Sequence, residues 1–483
     1  MYKNNIFTMF FVIILLIIPN SNNYIILPFR TTNIPFQESN NISIIENFLT
    51  KINTNQLYTT LSFGNPAKNI DFYISMEQLS FSILSNNCLK GSDSSYNPSL
   101  SNTFKNETAY NYNFGSISKA CLATDVCTFY NDFHLSKNIT LDSIKFLSGN
   151  NSSPINENID SERLCGTIGL MRYSHNTFLT MNNFIYYLKS NKIINTETWG
   201  LFFFDKENSY NIDKEFKSKY DGFLVAGITN NSYLDIFKTD NIYTGNSYSS
   251  LYWSFTFNKV FYNDSSSTYI CGNNTIVDFV IDLNYITCTR YYYESIKNYF
   301  FEKYFEEKVC KEEIVYNVYE ENIYLIICNL DFKKNIKTFP NIYFFSDTFS
   351  YIFNLDYNDV FMEYNDKIYF LIIFKQAINT IWRLGKIFMK KYPYIFDYDQ
   401  RTISFVYLNK FGNTPNEESK KSKKNNNKKS FFLNVKIYIF IGLLIIAVIL
   451  GIFIGKMLRK NKRKQRANEL DDNYDYIINN SEK

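Results

Sequence analysis

The stretch "NIDFYISMEQLSFSIL", residues 69–84, decides the fold of this chain. An apolar segment, "DFYIS", ends in the polar triplet Ser75-Met76-Glu77, and a second apolar segment follows. Short β-branched and aromatic runs with a polar break predict a strand, a turn and a second strand. The pattern recurs roughly 200 residues later as "DFVID", 278–282. Downstream of each copy an apolar segment closes on glycine, "GTIGL" from Gly166 and "WRLG" from Trp382. Two equivalent halves predict a bilobal, mainly β protein with a cleft between the lobes.

The composition agrees with a mainly β class. The chain of 483 residues contains 40 Tyr and 46 Phe, with short Asn- and Ser-rich breaks between the apolar runs. Such aromatic content favours strands. The net charge of +4 is small for this length, so nothing in the overall charge indicates a nucleic-acid partner.

Two apolar runs predict the route of the chain through a membrane. The first has the basic start, apolar centre and polar end of a secretory signal. The second, "IYIFIGLLIIAVILGIFIG", has no charge over a length that spans a bilayer and is followed by basic residues. We therefore expect a single-pass type I protein on the secretory route or at the cell surface. The predicted parts are a signal peptide 1–22, a lead-in 23–54, a body 55–409 with lobes 55–215 and 216–409, a polar stalk 410–436, a membrane helix 437–455 and a cytoplasmic tail 456–483.

The cysteines and sequons fit an oxidising, glycosylating compartment. The eight cysteines allow up to four disulfides, and Cys121 and Cys127 are near enough in sequence for a local bridge. Several sequons predict a glycosylated surface; among them are those that begin at Asn41, Asn106, Asn138, Asn150, Asn230, Asn263 and Asn273.

Seven segments in the same order resemble the pepsin family of aspartic proteases, over nearly the whole body. They are "NQLYTTLSFGNPAKNIDF" (55–72), "YNPSLSNTFKN" (96–106), "YNFGSIS" (112–118), "CGTIGL" (165–170), "GFLVAGI" (222–228), "YWSFTF" (252–257) and "WRLGKIFMKKYPYIFDYDQRTISFV" (382–406). The resemblance implies the bilobal pepsin-like aspartic protease fold. It also implies a flap at Tyr112, Gly115 and Ser116, and a lead-in "IILPFRTT" similar to a prosegment. With no active site to silence, we expect that lead-in to be an added edge strand.

The resemblance places Ser75-Met76-Glu77 and Asp282-Leu283-Asn284 where the family has its two Asp-Thr-Gly triplets. Asp278 is a rival for the second aspartate, but the internal repeat pairs Ser75 with Asp282. The family's reaction needs two carboxylates that share a proton around a water. A serine hydroxyl at 75 does not ionise, so we expect Asp282 to remain as a lone carboxylate with an ordinary titration.

Other chemistry has little support in the sequence. Glu77 lies two residues beyond the missing aspartate and is a candidate substitute for it. A serine hydrolase on Ser75 would need a base, and the histidines, His134 and His175, have no motif around them. The sequence predicts no metal site and no cofactor.

Three functions remain open. The first is a membrane-anchored, catalytically inactive homologue that binds an extended peptide or protein partner in its cleft. The second is an active aspartic endopeptidase that uses Asp282 with Glu77 or Asp278. The third is a structural or adhesion ectodomain whose cleft is filled by aromatic side chains.

Overall fold

The apolar segments of the chain form strands, and the protein is mainly β with several sheets. The computed structural model describes residues 24–31, 43–84, 96–114, 117–130, 138–151, 166–172, 183–204, 214–229, 242–249, 252–262, 269–271, 274–316, 322–376 and 381–406. These residues all belong to one compact unit, 1–412.

The described strands are numbered in chain order. They are β1 Ile25–Thr31, β2 Leu57–Phe63, β3 Lys68–Ser75, β4 Phe81–Leu84, β5 Lys105–Phe114, β6 Ile117–Tyr130, β7 Asn138–Asn151, β8 Gly166–Gly169, β9 Thr198–Phe203, β10 Gly222–Ala226, β11 Ile242–Asn246, β12 Ser254–Phe257, β13 Lys259–Tyr262, β14 Tyr269–Cys271, β15 Thr275–Phe279, β16 Ile286–Thr289, β17 Cys310–Val315, β18 Ile323–Asn329, β19 Ile342–Ser346, β20 Tyr351–Leu355, β21 Phe361–Tyr364, β22 Lys367–Phe370, β23 Ile372–Lys375, β24 Trp382–Leu384, β25 Tyr394–Asp397 and β26 Thr402–Val406.

The helices are short and connect or cover the sheets. The α-helices are α1 Ile44–Thr54, α2 Phe184–Ser190, α3 Lys214–Lys219, α4 Tyr293–Ile296, α5 Glu302–Glu306, α6 Tyr357–Val360 and α7 Lys386–Lys391. The 3₁₀ turns are Pro98–Leu100, Arg290–Tyr292, Leu330–Lys334 and Ile336–Thr338, and one π-helical segment is Lys297–Phe301.

The strands form three sheets within the described residues. The 13-stranded sheet has the order β11-β26-β25-β9-β10-β1-β2-β3-β8-β4-β7-β6-β5. The 9-stranded sheet runs β12-β15-β24-β16-β23-β18-β22-β21, with β17 against β18, and the 4-stranded sheet runs β14-β13-β19-β20. The first sheet contains strands from both sides of residue 215. The lobe boundary predicted there therefore does not coincide with a division between sheets.

The internal repeat in the sequence corresponds to a repeated local structure. β3 pairs in parallel with β8, and Ser75 lies opposite Gly169. β15 pairs in parallel with β24, and Phe279 lies opposite Leu384. Each "DF" strand thus lies beside the downstream segment that closes on glycine.

Glycine is required at the end of each of these parallel pairs. A Cβ on Gly169 would lie 2.6 Å from the carbonyl oxygen of Gln78. A Cβ on Gly385 would lie 2.1 Å from the carbonyl oxygen of Tyr285. Real Cβ atoms do not approach backbone this closely, so both turns can press against their neighbouring strand only because these residues are glycine.

The lead-in strand is internal, and the prediction of an edge strand is wrong. β1 pairs antiparallel with β10 along five residues and continues into a pairing with β2. Its first five residues, Ile25–Phe29, are all buried. An apolar run without alternation is typical of a strand covered on both faces, which is incompatible with an exposed edge.

Helix α1, the second part of the lead-in, packs on the 9-stranded sheet. It begins with a capping box in which the Ser43 hydroxyl accepts from the Glu46 N–H and the Glu46 carboxylate accepts from the Ser43 N–H. Its buried residue Phe48 stacks on Tyr369 with ring centroids 3.7 Å apart. The Lys51 ammonium lies 4.4 Å from the ring centroid of Tyr364. α1 is therefore fixed to the body along its whole length.

One disulfide, Cys310–Cys328, joins β17 to β18 within the described residues. The local bridge predicted for Cys121 and Cys127 is wrong, because both are free thiols on the same strand, β6. A strand rises about 3.3 Å per residue, so six residues separate them by about 20 Å, well beyond disulfide reach. The full set of four disulfides therefore does not form.

The predicted membrane helix 437–455 lies outside the described residues, as do the signal peptide, the stalk and the tail. Within the described part of the chain, no helix is long and apolar enough to span a bilayer.

The close approach at Gly385 gives a direct test of this packing. We expect Gly385→Ala to lower the free energy of unfolding by about 1–3 kcal/mol, because the new methyl group meets backbone that has no room to move. Urea unfolding followed by tryptophan fluorescence measures the change. Gly245→Ala is the matched control, since its Cβ would overlap the side-chain methyl of Thr348 while the nearest backbone atom lies 3.3 Å away. Equal loss in both variants would contradict the argument.

Candidate functional site

Two turns at the ends of equivalent strands bring Ser75 and Asp282 together. Ser75 is the last residue of β3, and its carbonyl oxygen accepts from the Leu170 N–H at 2.8 Å. Asp282 lies in the turn after β15, which closes through a 3.2 Å bond from the Leu283 N–H to the Val280 carbonyl. We refer to residues 280–284 as the Asp282 turn.

The Asp282 carboxylate is bound by donors from the first half of the chain. The Tyr73 hydroxyl donates to Oδ1, and the Met76 N–H donates to Oδ2 at 3.0 Å. Tyr73 and Met76 lie more than 200 residues away in sequence. The carboxylate therefore joins the end of β3 to the turn after β15.

The Ser75 side chain is buried and is occupied by its own turn. Its Oγ accepts from the Glu77 N–H at 3.1 Å and from the Gln78 N–H at 3.2 Å. Ser75 has no exposed surface, and neither histidine of the sequence falls among the described residues. The hydroxyl stabilises a turn, and no described base is placed to activate it.

Burial is the main influence on the pKa values of Asp282 and Tyr73. Burial raises the pKa of Asp282, while the Tyr73 and Ser75 hydroxyls and the Met76 N–H lower it and the negative charge of Glu77 raises it. Burial and the Asp282 charge raise the pKa of the Tyr73 hydroxyl well above 10. The expectation of an ordinary titration for Asp282 is therefore wrong, because the carboxylate is shielded from water.

Glu77 and Asp278 do not supply a second carboxylate to Asp282. The exposed Glu77 forms an ion pair with Arg383 of β24. Asp278 lies within β15, opposite Ser254 on one side and Arg383 on the other. Burial raises the pKa of Asp278 to about 6, and Arg383 opposes the rise. Among the described residues, Asp282 has only hydroxyl and N–H hydrogen-bond partners.

The far side of the Asp282 turn is bound to helix α1. The Asn284 side-chain amide donates to the carbonyl oxygens of Ile52 and Asn55, the latter at 3.0 Å. The buried Lys386 amine also donates to the Asn55 carbonyl, and the Lys386 N–H donates to the Leu283 carbonyl at 2.7 Å. The lead-in thus contacts the second triplet directly.

The predicted flap is described only in part. Tyr112 lies in β5, where its backbone pairs with Ala120 of β6. Gly115 and Ser116 lie outside the described residues, as do His134 and His175. Within the part of the chain that is described, no group of three or more His, Cys, Asp or Glu residues is arranged to hold a metal ion.

Two of the cavities in the structure are lined by described residues alone, and neither of these includes Ser75 or Asp282 in its lining. One, of about 360 Å³, lies between β1, β2 and β6 and is lined by polar residues such as Arg30, Tyr58 and Asn138. The other, of about 780 Å³, lies beside α1 and α7 and includes Ile52, Asn55, Asn284 and Lys386. This second cavity reaches the far side of the Asp282 turn.

Sequence reasoning identified Ser75 and Asp282 but missed Tyr73, Asn284 as a donor to α1, and Lys386. Tyr73 could have been found, because residues two apart on a strand share one face and Ser75 was already a candidate. The two contacts to α1 carry no local signal, since they depend on where a separate helix packs.

Comparison with protein-family models finds no match, and no curated protein matches the chain. The chemistry must therefore be argued from the geometry. A single carboxylate held by a phenol and a backbone amide can orient and bind. Among the described residues, no second carboxylate binds it that would let one group take a proton while the other donates.

The Tyr73 bond to Asp282 can be tested by its removal. We expect Tyr73→Phe to raise the pKa of Asp282 further and to cost about 1–3 kcal/mol of unfolding free energy at neutral pH, because a buried carboxylate loses a donor. A carboxyl whose folded pKa is raised gains stability as the pH falls through that pKa. The loss of unfolding free energy in Tyr73→Phe should therefore be smaller in acid, where Asp282 is protonated and gains less from the Tyr73 hydrogen bond. Urea unfolding at pH 7.5 and pH 5 measures it.

Tyr58→Phe is the matched control, because Tyr58 lies opposite Tyr73 on β2. An equal, pH-independent loss in both variants would show that the Tyr73 hydroxyl has no special relation to Asp282.

Proposed function

We propose that this protein is a catalytically inactive homologue of the pepsin-like aspartic proteases, which binds an extended peptide or a segment of a protein partner in a cleft between its two halves. On this proposal it is anchored by the helix 437–455 as a single-pass type I protein of the secretory route or cell surface. The proposal needs no cofactor and no nucleic acid.

The repeated architecture supports the family assignment. Both halves place a strand, a polar turn and a parallel strand closing on glycine in the same relation. The ends of the two strands meet at Ser75 and Asp282, where the resemblance expects the two aspartate turns. A cleft with such a floor is the site at which that family binds its substrates.

The observation that carries the inactive state is the surroundings of the Asp282 carboxylate. Its partners are a phenol, a hydroxyl and a backbone amide. The resemblance assigns Ser75 to the position of the other acid. Without a second carboxylate, no proton is shared and no attacking water is polarised between two acids. Glu77, the candidate substitute, is held by Arg383.

Binding without cleavage needs only main-chain hydrogen bonds and side-chain pockets. β5 stands at one end of the 13-stranded sheet and pairs only with β6 among the described strands. A strand with one unpaired edge can accept an added peptide strand. β5 carries Tyr112, the residue that the resemblance places in the flap over the cleft.

Peptide cleavage tests whether the protein is catalytically inactive. We expect the wild-type chain, purified at full length in detergent, to leave fluorogenic peptide libraries intact between pH 3 and pH 7. A variant with Ser75→Asp, Met76→Thr, Glu77→Gly and Leu283→Thr rebuilds most of both triplets, and we expect it to gain acid-pH cleavage that pepstatin inhibits. Asn284 is kept because it binds α1.

The control is the same variant with Asp282→Asn, which should be silent. Wild-type cleavage that pepstatin blocks and Asp282→Asn abolishes would contradict the proposal, and the protein would then be an active endopeptidase with an unusual pair of acids.

Peptide selection tests whether the protein binds peptides. We expect a displayed library of ten-residue peptides to yield a sequence family that binds the full-length wild type. Glu77→Arg should weaken that binding about tenfold or more, equivalent to about 1.4 kcal/mol, because two arginines would then face each other beside Asp282.

Glu363→Arg is the matched control, since Glu363 is also partly exposed and also forms an ion pair, with Lys333. Equal loss in both variants, or a library without enriched peptides, would contradict peptide binding at this site. A structural or adhesion role would then be favoured.

A further inference from the structure

Helix α1 ends on the back of the Asp282 turn, and its last carbonyl groups are bound there. The final four carbonyls of a helix have no partner within the helix and need donors from elsewhere. Asn284 and Lys386 supply such donors to Ile52 and to Asn55, the residue that caps the helix. The negative end of the helix dipole attracts a cation, but at the buried Lys386 the loss of hydration outweighs this attraction and lowers the pKa of the amine.

Lys386 is an unusual donor because it is buried. The residue is 1 % exposed, and among the described residues no carboxylate forms an ion pair with its amine. Its one hydrogen-bond partner there is the Asn55 carbonyl. The 780 Å³ cavity adjoins this contact and is lined by Asn55, Asn284 and Lys386 together. Separation of α1 from the turn would therefore open the amine to the cavity.

The charged groups around Lys386 are few or already paired. Lys390 on α7 is a like charge that lowers the pKa of Lys386, and burial lowers the pKa of Lys390 itself, opposed by Asp221. Asp282 is the opposite charge that acts on Lys386. Across the cavity, Lys391 forms ion pairs with Asp356 and Asp359. Asp221 accepts from the Thr31 N–H at 2.6 Å.

We propose that Lys386 is a positioning residue that, together with Asn284, ties α1 to the Asp282 turn, and that protonation of its amine loosens this tie. α1 is then part of the support of the Asp282 turn, and its attachment depends on pH. Any effect of this pH dependence on a ligand in the cleft rests on the proposed function, whereas the attachment of α1 to the Asp282 turn does not.

The burial of Lys386 determines the direction in which pH changes the attachment of α1. Burial lowers the pKa of Lys386 from 10.5 to about 7, Lys390 lowers it further, and Asp282 opposes the shift. If α1 separates and the amine meets water, the pKa returns toward its ordinary value. Between these two pKa values the open state binds a proton that the closed state lacks, so lowering the pH favours opening. Below about pH 7 both states are protonated, and the effect levels off.

Hydrogen exchange measured by mass spectrometry on the full-length protein tests the proposal without a ligand. After correction for intrinsic exchange rates, we expect the protection of residues 44–54 to rise by up to about tenfold per pH unit from pH 7 to pH 9, and to be flat below pH 7. Helix α2 serves as the internal reference, because none of its residues lines the cavity that contains Lys386.

Four variants separate the contributions. Lys386→Met keeps the apolar stem and Lys386→Gln keeps a neutral donor, so both should abolish the pH dependence in residues 44–54. Lys390→Met removes the like charge that lowers the pKa of Lys386, so the pH dependence should remain and begin at a higher pH. Asn284→Ala should lower protection at every pH and leave the slope unchanged.

A wild-type profile that is flat from pH 7 to pH 9, or a slope that persists in Lys386→Met or Lys386→Gln, would overturn the proposal. Since no ligand is used, failure of the peptide selection would leave this result standing, and failure here would leave the proposed peptide binding intact.

Discussion

The bond between the Asp282 carboxylate and the end of β3 is the constraint on which the site depends. A carboxylate withdrawn from water is stable only if charge-assisted hydrogen bonds replace its hydration. Here the replacements are the Tyr73 hydroxyl and the Met76 N–H, from a strand more than 200 residues away in sequence. The two halves must therefore dock with the end of β3 in register with the Asp282 turn.

The glycines and the lead-in follow from that constraint. Gly169 and Gly385 let each turn lie directly against the strand that ends beside it. On its other side, the Asp282 turn is attached to the end of α1, because Asn284 and Lys386 both donate hydrogen bonds to the Asn55 carbonyl. A helix that could have been a detachable leader is thereby part of the support of the site.

The sequence predicted the mainly β class and the meeting of Ser75 with Asp282, because short strands with polar ends leave a local pattern that recurs in both halves. It missed the hydrogen bond from Tyr73 to Asp282, since no local motif distinguishes Tyr73 from the other tyrosines among the 40 in the chain. The edge-strand prediction for β1 overlooked the unbroken apolar run Ile25–Phe29, which indicates burial on both faces. The Cys121–Cys127 prediction used sequence spacing without secondary structure, and a strand keeps such residues apart.

On the proposed relationship to the pepsin-like proteases, the environment of Asp282 explains how one acid can persist without a partner. Two carboxylates at the ends of both turns would repel each other and share a proton, an arrangement best suited to acid pH. With Ser75 in one position, the repulsion is removed, and the serine hydroxyl binds the Glu77 and Gln78 N–H groups of its own turn. The remaining carboxylate is then free to accept from Tyr73 and Met76. Replacing Asp282 as well would leave those donors buried without an acceptor, at a cost in stability. Asp282 is therefore required as the acceptor that joins the end of β3 to the Asp282 turn, and this requirement is independent of catalysis.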